Sequence, residues 1–256
     1  MLNKYLLTII TLPFVLLMPW SVSGHLVDDK ATKPIAHAET TDHDWQGSAE
    51  LGFIVATGNT QSEVVNAVGE SNRESGRWQH RIKLAAAGAV YNDIRNTESY
   101  ALEGTVKYDL YEKKFLFANI RYFDDKFDSF NKIVSGAAGA GFQPLLQDKL
   151  TWDVFAGVGY SDQSFEQTGE DISGMTFLAI STYRHQLSDS TTLSFGSLLE
   201  YKPENTFSRN EASLKVAINH SLALKVAYEL RYNSAPATLD KNIDTLTKAN
   251  IVYEFH

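Results

Sequence analysis

The chain contains no cysteine. Disulfides, thiolate metal sites, cysteine catalysis and a lipid-modified N-terminal cysteine are excluded with it. Basic residues are also short: 23 Lys and Arg stand against 31 Asp and Glu, a formal net charge of -8. That balance argues against a general nucleic-acid binder, which needs a basic face. GNTQS (58–62) is no phosphate loop, because no Gly-Lys-Ser/Thr follows it. After residue 24 there is no long apolar run. If the mature chain enters a membrane, it must do so as strands closed into a barrel. What the chain does have is aromatics, with 12 Tyr and 14 Phe. A disordered chain would be poor in them, and 256 residues suffice for one closed barrel.

The first stretch, MLNKYLLTIITLPFVLLMPWSVSGH, has the layout of a secretory signal peptide. Lys4 is its charged start, Tyr5 to Trp20 its apolar run, and Ser21-Val22-Ser23-Gly24 its small-residue cleavage region. A transmembrane helix is the alternative; Pro13, Pro19 and the small-residue end favour a cleaved signal over residues 1–24. Residues 25–44 have charge and turn character without a period, as in a periplasmic leader. His37, Asp42, His43 and Asp44 lie there at spacings that enforce no metal geometry. No metal and no cofactor is expected.

From Trp45 onward the period is two. Tyr100, Leu102, Gly104, Val106, Tyr108 and Leu110 alternate with Ser99, Ala101, Glu103, Thr105, Lys107 and Asp109. The same rhythm recurs at 150–160 and 222–232, and in the closing KANIVYEFH, where Ala249, Ile251, Tyr253 and Phe255 form one list. Successive strand side chains point to opposite faces, so each segment has one apolar face and one that is small or charged. The pattern predicts strands near 45–57, 61–73, 78–91, 97–110, 115–124, 132–143, 150–160, 173–186, 191–201, 207–219, 222–232 and 245–255. In the sixth, SGAAGAGF blurs the alternation. The connections ESG, EKK, PLLQDK, SDS and His220-Ser221 are short, and those between are mostly longer and polar. Short turns at one end and longer loops at the other are the outer-membrane barrel pattern; TGNT (57–60) is tight on the long side.

Alternation alone does not say which face is outside. A soluble barrel turns its apolar face inward, and a membrane barrel turns it to lipid. Aromatic placement favours lipid. Trp45, Trp78 and Trp152 each begin an alternate strand, with Tyr108, Tyr183, Tyr253 and Phe255 at the same end. Tyr160, Tyr201 and Tyr232 form the opposite ring. The lumen face then carries Arg81, Lys83, Glu103, Lys107, Asp109, Arg121, Asp153, Arg184, Glu200, Arg209, Glu211, Lys215, Lys225, Glu229 and Arg231. Such mixed charges either line an aqueous pore or pair across the lumen and plug it. No catalytic residue is assigned. His80, His185 and His220 fall near the periplasmic ends, and Asp124, Asp125 and Asp128 in an outer loop.

GSAELGFIVATGNTQS (47–62), the segment around RYFDDKFDSFNK (121–132) and the closing strand resemble a family of salt-induced outer-membrane proteins of Gram-negative bacteria, defined by a domain of unknown function. The likeness runs over residues 45 to 256. It implies an outer-membrane barrel and no established catalytic residue. The aromatic-x-aromatic end resembles the closing strand that barrel-assembly machinery recognises.

The expectation is thus a transmembrane antiparallel up-and-down β-barrel of about 12 strands over 45–256, in contact with outer-membrane lipid and lipopolysaccharide. Its expected role is non-enzymatic, in small-solute or ion passage or, by the family's description, in response to salt. An outer-membrane lipid hydrolase and a soluble periplasmic barrel holding an apolar ligand are the alternatives.

Overall fold

A computed structural model describes residues 45–57, 62–91, 94–111, 113–125, 132–164, 171–235 and 241–255. The signal-like segment and the leader, with their histidines and aspartates, lie outside the described residues, as does Asp128. The strands are β1 (Gln46–Thr57), β2 (Ser62–Ser75), β3 (Trp78–Tyr91), β4 (Ile94–Tyr111), β5 (Lys114–Asp125), β6 (Lys132–Gln147), β7 (Leu150–Ser164), β8 (Asp171–Gln186), β9 (Thr191–Tyr201), β10 (Thr206–Ala217), β11 (Leu222–Asn233) and β12 (Ile243–Phe255). All neighbours pair antiparallel in sequence order, and β12 returns to β1 to close the barrel. The described residues contain no helix. Each strand has at least 11 residues, enough for a tilted crossing of a bilayer.

Several boundaries differ from the sequence reading: β7 runs on to Ser164 rather than 160, and β4 begins at Ile94 rather than 97. Pro144 to Gln147 belong to β6 rather than to the connection, and the register slips between Phe142 and Leu145. A bulge there accommodates Pro144, which has no N–H to give to a ladder. β10 ends at Ala217 rather than 219, and His220 stands in the connection where the sequence reading put it.

The outer face is apolar all round the barrel. Phe53, Ile120 and Met175 are 67%, 66% and 73% exposed, and comparable side chains stand out from every strand. Aromatics collect at the short-turn end. Trp78 packs on Tyr108 at 4.8 Å between centroids, Tyr183 on Phe195 at 6.0 Å, and Trp152 Nε1 donates to Ser181 Oγ at 2.9 Å. Trp45, Tyr253 and Phe255 are exposed at the same end, and Tyr160 and Tyr201 at the other, where Tyr232 is half-buried. At the seam, Phe255 lies opposite Gly47.

Candidate functional site: the lumen

The interior has two unlike halves. On the β5–β10 side it is filled. Phe115, Phe117, Phe155, Leu178, Leu198 and Phe207 form one buried cluster. The rings of Phe117 and Phe155 meet edge to face at 4.9 Å. Room for them comes from β6 and β7, where Gly139, Gly141, Gly157 and Gly159 face inward. A Cβ at Gly141 would come within 2.6 Å of Phe155 Cβ.

The other half buries Ile54 and Val64 against Ala87 and Leu246 toward the long-loop end and is otherwise charged, and register explains how. On β10 and β11 the inward residues meet as like-sign rungs: Arg209 opposite Arg231, Glu211 opposite Glu229, Lys215 opposite Lys225. Like charges directly opposed repel, so each rung takes its counter-charges from other strands or from the next rung. Lys248 of β12 bridges both glutamates, at 2.8 Å to Glu211 and 2.6 Å to Glu229. Arg231 Nε adds a 2.5 Å bond to Glu229. Lys225 reaches Glu50 of β1 at 3.0 Å, and Asn250 Nδ2 donates to the same carboxylate at 2.8 Å. Lys215 pairs with Glu254. Arg209 reaches Glu103 of β4, on the opposite wall, at 3.9 Å.

Two further pairs cross the interior. Arg121 of β5 pairs with Glu200 of β9, each side chain only 5% exposed. Lys107 of β4 pairs with Asp153 of β7, its ammonium 4.7 Å from the Phe115 centroid. Gln143 donates to Asp153 at 3.0 Å, and Gln79 to Asp109 at 3.3 Å. At the long-loop end, Lys202 follows β9 and is buried, donating to the carbonyls of Ser161 and Ile172 at 3.4 Å each.

The residues named from the sequence as lumen-facing all sit at inward register positions. Arg184 shares that parity but is exposed at the short-turn rim. The sequence reading omitted Glu50, Glu70 and Lys248. Each stands between residues of the opposite parity in GSAELGF, VVNAVGES or KANIVYEF, and carrying the alternation through those segments would have found them. It also omitted the phenylalanines of β5, because KFLFANI is apolar on both faces. His80 and His185 point outward at the short-turn end. His80 stacks on Trp78 at 6.3 Å, and the Tyr183 hydroxyl lies 3.4 Å from His185 Nδ1. Asp124 accepts from the Tyr122 hydroxyl at 3.2 Å.

A family model described as "Protein of unknown function, DUF481" matches residues 49–255. The chain belongs to that family. Uncharacterized protein YdiY of Escherichia coli (strain K12) is 23% identical over 229 residues, covering 88% of this chain and 90% of that protein. Among solved structures, NanC porin aligns with a TM-score of 0.55 at 8% identity, covering 81% of this chain and all of that one. The COG4313 outer membrane channel from Pseudomonas putida F1 aligns with a TM-score of 0.49 at 11% identity, covering 89% of this chain and 100% of that chain. The likeness to NanC porin is one of fold: a closed antiparallel barrel.

Proposed function

We propose that this DUF481 protein is an outer-membrane barrel offering a narrow, charge-lined passage to small ions and solutes. The observation that carries the reading is the inversion of its two faces. Large apolar side chains stand exposed around the whole exterior, while the interior holds a charged network. A water-soluble protein rarely exposes so extensive an apolar surface, and lipid is the solvent that suits it. Girdle aromatics at both ends fit two membrane–water interfaces.

The passage is narrow because the phenylalanine cluster fills one side. The other side keeps accessible charge: the Arg81 side chain is 43% exposed. Gly196 points into the lumen with no atom within 4 Å of where its Cβ would stand. The reading is non-catalytic, and the contacts of His80 and His185 with rim aromatics, one stacked and one edge to face, support it, since that is an interfacial role.

Planar-bilayer recording of the refolded barrel, with fractionation of cells expressing it, tests the proposal. A small, steady conductance from a heat-modifiable outer-membrane species is expected. A correctly folded barrel that leaves the bilayer at background would end the passage reading.

A further inference from the structure

Lys83 breaks the pairing rule of the lumen. It points inward from β3, and its cross-strand neighbours on the two sides are Glu70 and Glu103. Lys248, placed near two glutamates, bridges both. Lys83 bridges neither: among the described residues no carboxylate lies within ion-pair distance of its ammonium.

The reason is that both neighbours are already taken. Arg81 Nη2 holds Glu70 Oε2 at 2.7 Å, and Asn72 Nδ2 donates to the other oxygen at 3.2 Å. Glu103 faces Arg209 at 3.9 Å and accepts from Asn119 at 3.5 Å. Arg81 takes Glu70 through one charge-assisted hydrogen bond, while Arg209 stands at ion-pair distance from Glu103 without one. Of the three cations around Glu70 and Glu103, Lys83 is the one left without an ion pair, and Glu211 acts on it only at longer range. The space is not sealed. The Arg81 and Arg209 side chains are 43% and 27% exposed, against 5% for Arg121 in the packed half.

We propose that Lys83 is the anion-binding subsite of the lumen, taking a small monovalent anion such as a halide or a solute carboxylate. An ammonium with its donors free in a confined, partly dehydrated space gains from a mobile counter-ion what a fixed glutamate would otherwise give. The flanking arginines lend their field without surrendering their own partners. This deepens the passage reading, since it makes the route anion-preferring at its charged wall.

Bromide is the probe. Crystals of the refolded barrel soaked in sodium bromide should show anomalous density within hydrogen-bond distance of Lys83 Nζ. The density should persist in Lys83→Arg and vanish in Lys83→Met, with heat-modifiable mobility confirming that each variant is folded. In bilayers under a potassium chloride gradient, the parent should favour chloride, and Lys83→Met should lose that preference. Absence of bromide at Lys83 in the parent, or its unchanged presence in Lys83→Met, overturns the subsite whether or not the barrel conducts. Bromide at Lys83 in a barrel that passes no current keeps the subsite and removes the passage.

Discussion

Gly141 and Gly196 both point into the lumen, and only one of them can become alanine without strain. At Gly141 the new methyl would meet the Phe115 ring and stand 2.6 Å from Phe155 Cβ; at Gly196 it would meet nothing within 4 Å. Overpacking of this kind costs about 1–3 kcal/mol. Gly141→Ala should lower stability by that amount in denaturant titrations of the folded barrel, and Gly196→Ala should be neutral. Equal effects would mean that the phenylalanine side is not packed as described. The outer face allows a second comparison. Val226 lies mid-strand and exposed, while Leu222 begins the same strand at the short-turn end. An arginine costs about 2–4 kcal/mol at the bilayer midplane and about 0–1 near the interface. Val226→Arg should therefore reduce refolding into lipid vesicles far more than Leu222→Arg. Similar losses at the two sites would argue against a lipid-facing β11. At this scale the sequence was legible wherever one face was apolar and the other charged. It was illegible at SGAAGAGF, since there the inward residues are small in order to seat rings contributed by β5 and β7, which no local pattern announces.

Strands were the most legible elements, because a period of two survives any detail of packing. All twelve expected segments are strands, and one of the larger departures, the end of β6, has a cause. Pro144 reads as a turn signal, yet here it occupies a bulge, beyond which Leu145 and Trp152 resume the ladder. The seam between β12 and β1 carries the prediction that belongs to elements. Phe255 lies across Gly47, where a Cβ would come within 2.5 Å of the ring and 2.6 Å of the Glu70 carbonyl oxygen. Gly47→Val must push the aromatic off the first strand or distort the β1–β2 ladder. Either opens the only pairing that closes the barrel, and unpaired backbone groups in hydrocarbon cost several kcal/mol each. The variant should lose the heat-modifiable band from the outer-membrane fraction, whereas Gly69→Ala, with open space around it, should keep that band. A Gly47→Val barrel that assembles normally would show that closure does not depend on this contact.

For the whole molecule, the question is what the charges inside do for the barrel as a unit. Composition supplied both signs but not their pairing, since pairing depends on register and on which walls face each other. Like-sign rungs on β10 and β11 send their counter-charges to β12, β1 and the far wall, so the network ties non-adjacent strands together. Arg121 and Glu200 make the sharpest test, being four strands apart and nearly sealed from water. The pair is not ideally satisfied: Arg121 Nε is buried without a hydrogen-bond partner. A buried pair with such a defect recovers little beyond its own desolvation, while a lone survivor pays that cost in full. Arg121→Met should thus destabilise the barrel by about 3–5 kcal/mol, and so should Glu200→Leu. The double variant places two apolar side chains beside Phe207 and Leu178, and it should be more stable than either single one. A thermodynamic cycle on the folded barrel measures the coupling directly. Additive losses would mean that the two groups act independently, and that this pair does not tie β5 to β9.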